Sequence, residues 1–151
     1  MENRAMNTQE EWVKLQQHKI PEGQFVVTSF VQNSDGARII LDDEENIVEI
    51  FFDGVPSLIR IATEGIRMRT WGEIQLKYQD KFFFRNCFFY QVKNSKLTKW
   101  AIEESCNFYD SEQLNHYCIV TSEELIDILA SFEPIVTLLK PGFRDMESNN
   151  D

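Results

Sequence analysis

A chain of 151 residues with 42% hydrophobic side chains is long enough for one domain with one core, and too apolar to be disordered. Its net charge of −10 at pH 7 argues against binding to nucleic acids or to anionic membranes, both of which attract clustered Lys and Arg. No apolar run approaches the roughly 20 residues that cross a bilayer, and the N-terminus lacks a signal-peptide core, so we expect a cytoplasmic protein.

Charge is unevenly distributed along the chain. Residues 55–100 carry an excess of Lys and Arg, whereas the segments before and after them are acidic. The simplest interpretation is that acidity keeps the protein soluble; a sharper one is that the acidic segments attract a basic partner. The three cysteines, Cys87, Cys106 and Cys118, are an odd number without metal-binding spacing, so we expect reduced thiols and no metal site.

The N-terminal third predicts one helix followed by a series of strands. A capping box at Thr8 and Glu11, with apolar residues after it, indicates a helix near residues 9–19. An Asp-Gly pair at residues 35–36 is typical of a tight hairpin turn between two strands. Strands are expected at residues 24–32, 37–41, 47–52 and 58–62. The short polar turns between them favour antiparallel pairing.

Residues 82–92 form the most apolar stretch of the chain, and six of these eleven residues are aromatic. Alternate residues on both sides are apolar, which predicts a central strand covered on both faces. A capping box that begins at Thr70 indicates a preceding helix near residues 71–80. Ser95 is placed to cap a following helix near residues 96–105.

The C-terminal third predicts two strands with a helix between them. The strands are expected at residues 117–121 and 135–139, and the helix near residues 122–131. A capping box at Thr121 marks the start of that helix. Its predicted apolar stripe comprises Leu125, Ile128, Leu129 and Phe132. The polar residues 144–151 are typical of a disordered tail.

Together these elements predict an α+β fold with a single globular domain over residues 1–143. We expect one mostly antiparallel sheet of six or seven strands with about four helices packed against it. The sequence contains no internal repeat and no interdomain linker.

No catalytic or cofactor motif is present. His116 and Cys118 would share one face of an extended strand, which makes a thiolate-imidazole pair conceivable. The apolar Ile119 and Val120 beside them would raise the pKa of the thiol instead of activating it. A packed thiol beside a hydrogen-bonded histidine is therefore favoured. The glycines are scattered singly, which argues against a phosphate-binding loop.

Four successive carboxylates at residues 42–45 form the densest charge cluster in the chain. Their spacing does not fit a calcium-binding EF-hand, because Val48 stands at the seventh position and Asp53 at the twelfth. Adjacent carboxylates also lack the separation that a glycosidase pair needs. An exposed hairpin turn is the favoured structure for this cluster.

The segment Ile50-Phe51-Phe52-Asp53-Gly54-Val55 is followed by Arg60 and Glu64, and later by Asn94-Ser95, Trp100, Ser105 and His116-Tyr117. With these residues the chain resembles a family of small bacterial proteins similar to the immunity proteins encoded beside secreted polymorphic toxins. The resemblance covers about residues 47–136. It implies a genomic setting next to a toxin and carries no catalytic residues with it. Many such toxins are basic nucleases, which an acidic inhibitor would reach by electrostatic attraction.

The favoured function is therefore a non-enzymatic cytoplasmic protein that binds and neutralises a cognate, basic toxin domain. Successive carboxylates at a hairpin tip repel one another, and a basic target would give them a use. The residues expected at or beside the binding surface are Asp42, Asp43, Glu44, Glu45 and Glu49. The alternatives are an interaction or scaffold domain without a toxin partner, and a Cys-His or carboxylate hydrolase. No nucleic acid, membrane, metal or cofactor is expected to bind, and the sequence carries no signal for an oligomeric state.

Overall fold

A computed structural model of the chain describes residues 9–15 and 21–141, with side chains described as far as residue 139. These residues form nine strands and three helices. The strands are β1 (Glu11–Lys14), β2 (Val26–Asn33), β3 (Gly36–Asp42), β4 (Asn46–Asp53), β5 (Leu58–Thr63), β6 (Phe89–Lys93), β7 (Asn115–Val120), β8 (Glu124–Ala130) and β9 (Ile135–Pro141). The helices are α1 (Met68–Tyr78), α2 (Phe83–Asn86) and α3 (Lys96–Glu104).

The strands form two antiparallel sheets that pack face to face. The five-stranded sheet has the order β1-β6-β7-β8-β5, and the four-stranded sheet has the order β2-β3-β4-β9. Inward-facing residues of both sheets share one buried core, in which Ile39 and Ile50 of the smaller sheet meet Phe89 and Ile119 of the larger. The architecture is therefore a β-sandwich.

The helices cover the other face of the five-stranded sheet. Beneath α1 and α2 lies an aromatic cluster, in which Trp12 of β1 contacts Phe84 edge to face at a centroid distance of 5.2 Å. Tyr90 of β6 lies beneath the same helices, and its hydroxyl donates to the carbonyl oxygen of Phe83. Leu97 of α3 packs on Leu129 of β8 in a separate, smaller cluster. None of the helices in the described part of the chain is long and apolar enough to cross a membrane.

The predicted single sheet with about four helices is wrong. The predicted strands at residues 24–32, 37–41, 47–52 and 58–62 all exist, but only the first three form a meander. The fourth, β5, leaves that sheet and pairs with β8, while β9 takes the place beside β4. An alternating pattern identifies which side chains share a face of a strand, and it contains no information about which strand lies alongside.

The helix predicted near residues 9–19 is wrong over its described part, because Glu11–Lys14 is the edge strand β1. Trp12 is 3% exposed, whereas Glu11 and Val13 are exposed, which is the alternation of a strand. Pairing with β6 places the indole among the aromatic rings, a long-range contact that overrides the local capping signal. The rest of that prediction, and the predicted tail at residues 144–151, lie outside the described residues.

The helix predicted near residues 122–131 is also wrong, because this segment is the strand β8. Thr121 does not begin a helix: its Oγ1 accepts from the backbone N–H groups of Glu123 and Glu124 and closes the β7–β8 hairpin turn. The supposed stripe is divided between the two faces of β8, since Ile128 joins the sandwich core and Leu129 the helix layer. Both faces are buried, so the sequence lacks the alternation that would have marked a strand.

The predicted aromatic strand at residues 82–92 is wrong in its first half, where Phe83–Asn86 forms the short helix α2, and β6 covers only Phe89–Lys93. The stretch is nevertheless largely buried, as expected, although Phe82 is 48% exposed. The helices predicted near residues 71–80 and 96–105 are confirmed as α1 and α3. The capping box at Thr70 is absent, because Thr70 lies inside α1 and Arg67 precedes the helix without a side-chain cap.

Candidate functional site

The acidic turn, residues 42–45, joins β3 to β4 as a hairpin connection, as the sequence predicts. Two of its carboxylates shape the turn. Asp42 Oδ1 accepts from the N–H of Glu44 at 2.7 Å, and Asp43 Oδ1 accepts from the N–H groups of Glu45 and Asn46 at 2.9 and 2.6 Å. Asp42 and Asp43 therefore have a structural use, whereas Glu44 and Glu45 are exposed at the tip.

Glu49 lies on β4, on the side of the sheet that faces away from the core. Its Oε2 is 2.6 Å from Nη1 of Arg38, on the neighbouring strand β3. The Arg38 guanidinium in turn stacks on Phe51, 4.2 Å from the ring centroid. Glu49 is thus engaged in a surface ion pair, two residues along the same face from Ile47, which pairs with Asp42 of the acidic turn.

The solvent side of the four-stranded sheet, which we call the outer face, carries both apolar and charged side chains. Its residues include Val31, Arg38, Ile40, Ile47, Glu49, Phe51, Ile135 and Thr137. One cross-strand row, Val31-Arg38-Phe51-Ile135, spans all four strands, and its two end residues are 48% and 54% exposed. No described element packs over this face. The sequence signal for it is the presence of apolar residues on both faces of β3 and β4, a pattern that predicts a strand but does not show which face stays uncovered.

A buried ionic network lies on the helical side of the five-stranded sheet. Asp127 of β8 is fully buried, and its Oδ1 is 2.7 Å from Nε2 of His116 on β7. Its Oδ2 accepts from Nε of Arg60 at 2.9 Å and from Nη1 of Arg67. Burial by itself would raise the pKa of this carboxyl, but the hydrogen bond from His116 and the two guanidiniums outweigh it and hold the pKa well below its usual range.

The network continues through His116 to Ser95. The Nδ1 atom of His116 is 2.6 Å from Oγ of Ser95, and that oxygen also accepts from the N–H of Thr98 at 3.0 Å, which caps α3. Because a carboxylate only accepts hydrogen bonds, Nε2 of His116 carries a proton toward Asp127. In the neutral imidazole Nδ1 is then an acceptor, to which the Ser95 hydroxyl donates. Ser95, His116 and Asp127 therefore form one hydrogen-bonded chain.

Two cavities flank this Ser-His-Asp chain. One of about 300 Å³ is lined by Ser95, His116 and residues around the start of α3. The other, of about 150 Å³, lies on the side of Arg60 and Arg67. The arrangement can do two things: lock β5, β7, β8 and α3 together, or move a proton from the serine hydroxyl to the imidazole.

The Cys118 thiol does not form the conceivable pair with His116. Both ring nitrogens of His116 are hydrogen-bonded to Ser95 and Asp127, and Cys118 is fully buried. Burial raises the pKa of the Cys118 thiol well above its ordinary value, which favours the unreactive protonated form. Cys87 is likewise buried, Cys106 is exposed, and all three are free thiols. Within the described ranges, no group of three or more His, Cys, Asp or Glu residues is arranged to hold a metal ion.

Sequence reasoning missed Asp127 as the centre of this network. The signal was present, because Asp127 is the only charged residue in the apolar run from residue 125 to residue 130. A lone carboxylate among buried residues requires charged partners, and the basic segment at residues 55–100 supplies them through Arg60 and Arg67. These two residues pair with the protein's own carboxylate.

Comparison with known proteins finds no similar one: no protein-family model, no curated protein and no solved structure matches this chain.

Proposed function

We propose that the protein is a cytoplasmic binding protein that neutralises a basic toxin domain, which docks on the outer face and the acidic turn. The observation that carries the proposal is the outer face, on which Val31 and Ile135 lie exposed beside a charged pair. Exposed apolar side chains gathered on one face mark a candidate site of interaction.

The dimensions of the outer face bring the acidic turn within reach of a partner that docks there. Standard strand spacings give four strands of seven or eight residues a face of roughly 19 by 25 Å, or about 475 Å². A stable interface buries about 800 Å² on each partner. A partner that fills such an interface extends past the sheet, and the turn lies at the end of β3 and β4, where it would make contact.

The composition of the outer face suits the centre of an interface. Arg and aromatic residues are enriched at interface hot spots, and Arg38 stacked on Phe51 supplies both in one unit. Arg38 is already held by Glu49, so little side-chain entropy is lost when a partner covers it. The apolar Val31 and Ile135 flank this unit on the two edge strands.

Charge favours a basic occupant over a second copy of the chain. The protein carries a net charge of −10, and Glu44 and Glu45 project from the turn beside the face. A basic domain would be attracted, which speeds encounter. Two copies of this chain would instead bring like charges together.

The test is rescue from the toxic domain encoded beside the gene, by co-expression in a bacterial host. The wild-type protein is expected to restore growth and to copurify with the toxic domain. The double variant Val31→Arg/Ile135→Arg adds bulk and positive charge to exposed positions of the outer face, so it should fold normally and lose at least about tenfold in affinity.

A matched control is Leu76→Arg, which makes the same change at a side chain 55% exposed on α1, on the opposite side of the molecule. It should rescue as well as the wild type. Full rescue by Val31→Arg/Ile135→Arg would remove the outer face from the interface. Absence of any toxic effect from the neighbouring gene product would refute the neutralising function itself.

The Ser-His-Asp chain favours a second candidate function, a serine hydrolase, which differs from the Cys-His hydrolase suggested by the sequence. Ser95 Oγ would attack an ester carbonyl and pass its proton to Nδ1 of His116, which returns it to the leaving alcohol; water then hydrolyses the acyl-serine. This candidate ranks second for two reasons. Ser95 is only 4% exposed, and two guanidiniums already bind the Asp127 carboxylate that would stabilise an imidazolium.

Covalent labelling by a fluorophosphonate probe tests whether the protein is a serine hydrolase. A hydrolase would be labelled at Ser95, and labelling would be lost in Ser95→Asn, which keeps a side-chain oxygen to cap α3 and removes the nucleophile. Wild-type protein that is not labelled, and does not hydrolyse p-nitrophenyl acetate faster than buffer, would rule this function out.

A further inference from the structure

Two sheets of this kind have four edge strands, and three of them are protected against pairing with another chain. β1 has only four residues. The pairing of β2 is interrupted by a register shift between Val27 and Ser29, and that of β9 by one opposite Ile47 and Val48. Short length and bulges are the usual means by which proteins block an edge. β5 has neither, since its six residues pair with β8 in unbroken register.

The free side of β5 offers backbone groups to another strand. In an antiparallel pair, every second residue of a strand turns its backbone N–H and C=O groups toward the partner strand. Glu64 N–H donates to Glu123 O, so the residues two, four and six positions before Glu64 turn their backbone groups toward β8. The intervening residues, Ile59 and Ile61, therefore point their N–H and C=O groups to the other side. Among the described strands, none lies beside β5 on that side.

An open groove runs along the same edge. Its cavity volume is about 640 Å³, and it lies between β5 and the first turns of α3. Leu97 and the half-exposed Trp100 of α3 line one wall, and residues of β5 line the other. We call this the edge groove. An edge strand beside a helix with an apolar groove between them is an arrangement that binds extended peptides by strand addition.

The charges at the edge groove are positive. Arg60 and Lys96 are the charged residues that line it, with side chains 42% and 62% exposed, and no acidic residue is among the lining residues. Both also hold carboxylates of the protein, Asp127 and Glu73, and each keeps an exposed portion for a further contact. A carboxylate on the bound segment would complement them.

We propose that β5 accepts an extended, acidic segment of a partner protein as a sixth strand of the five-stranded sheet, with its apolar side chains in the edge groove against Leu97 and Trp100. This surface belongs to the other sheet from the outer face. The inference therefore stands independently of the toxin-binding function, and each can fail without the other.

The test uses fluorescein-labelled decapeptides of alternating Thr and Val in which a single Glu is moved along the sequence, with Lys in place of Glu in the control set. Fluorescence anisotropy is expected to show binding by one register of the Glu peptides and at least about tenfold weaker binding by its Lys counterpart. No binding by any Glu peptide at about 1 mM, or equal binding by both sets, would overturn the proposal.

Two matched pairs of variants locate the site. Ile61→Pro removes an N–H group on the free side of β5 and none that pairs with β8, so peptide binding should fall at least about tenfold; Ile61→Ala keeps the N–H and should bind within a few-fold of wild type. Lys96→Glu should weaken binding, whereas Lys99→Glu, on the same helix but outside the edge groove, should not. Equal losses within either pair would place the peptide elsewhere.

Amide hydrogen exchange of the wild-type protein gives a readout that does not depend on whether the proline variant folds. Added peptide should slow exchange at Ile59 and Ile61 and leave Arg60, which already pairs with β8, unchanged. Unchanged exchange at Ile59 and Ile61 would contradict strand addition. Dimerisation of the free protein that Ile61→Pro abolishes would show that the occupant is a second copy of the chain, and would equally overturn the proposal.

Discussion

At the scale of single residues, Asp127 connects several elements of the fold. It joins β8 to β5 through Arg60, to β7 through His116, and to the segment before α1 through Arg67. No buried side-chain nitrogen or oxygen in the described residues lacks a hydrogen-bond partner, so the network is complete. A complete buried network fixes the relative positions of the elements that it joins. Removing one member leaves the remaining buried polar groups without hydrogen-bond partners, which is costly.

Asp127→Asn should therefore be strongly destabilising. The substitution leaves the Arg67 guanidinium, whose side chain is 12% exposed, without its counter-charge, and breaking a buried pair in this way costs about 3 to 5 kcal/mol. Urea unfolding measures the change in free energy. The control is Glu49→Gln, which breaks a surface pair with Arg38 and should cost less than about 1 kcal/mol. A loss below about 1 kcal/mol for Asp127→Asn would show that the network does not hold the fold together.

The pH dependence of stability follows from the same carboxyl group. Its folded-state pKa lies below the unfolded value of about 4, so its contribution to stability is fully present above about pH 4. As pH falls below that value, the unfolded state takes up the proton first, and the contribution is lost progressively toward the folded pKa. The free energy of unfolding should thus fall more steeply with acid in the wild type than in Asp127→Asn. Parallel pH profiles between pH 5 and about pH 2 would contradict this assignment.

At the scale of elements, α3 is attached to the five-stranded sheet mainly through Leu97, Leu114 and the fully buried Leu129. Leu129→Ala leaves a cavity beneath α3 and should reduce the free energy of unfolding by about 2 to 5 kcal/mol. Leu76→Ala, at an exposed position of α1, serves as the control and should change it by less than about 0.5 kcal/mol. Equal effects of the two substitutions would mean that α3 does not pack on β8.

At the element scale, alanine substitutions at two glycines are expected to have opposite effects on the free energy of unfolding. A Cβ at Gly36, which has φ of +138°, would lie 1.9 Å from the carbonyl oxygen of Phe52, so Gly36→Ala should cost about 3 kcal/mol or more. A Cβ at Gly72 in α1 meets no atom within 4 Å, and Gly72→Ala should stabilise the protein by about 0.5 to 1 kcal/mol. Thermal unfolding of both variants measures these shifts. A small loss of stability in Gly36→Ala would contradict the close approach of the start of β3 to the carbonyl oxygen of Phe52 in β4.

The elements that the sequence predicted correctly are those whose determinants are local. The Asp-Gly turn joins β2 to β3, and Ser95 caps α3 through its own hydroxyl. The errors occurred where partners distant in sequence decide the structure. Trp12 is in a strand because it packs on Phe84 and Tyr90, and β8 is a strand because both its faces are covered.

At the scale of the whole molecule, the sequence located the acidic turn but neither the outer face nor the edge groove. The turn depends only on adjacent residues, so its position could be predicted from four successive carboxylates. The outer face and the edge groove depend on strand order, which places β9 beside β4 and leaves one side of β5 open. The Ser-His-Asp chain likewise requires β7, β8 and α3 to meet, and no spacing in the sequence indicates that meeting.

In the proposed binding mode, the acidic turn guides a basic partner to the outer face. The most direct measurement is the association rate constant with the toxic domain, compared between the wild type and the quadruple variant Asp42→Asn, Asp43→Asn, Glu44→Gln and Glu45→Gln. Asn and Gln keep the side-chain oxygens, including those that accept the turn's N–H groups, so stability should change by less than about 1 kcal/mol. The variant should associate at least about tenfold more slowly at low ionic strength, with the difference narrowing as salt is added. Equal association rates at low salt would contradict this binding mode and show that the acidic turn is not part of the interface.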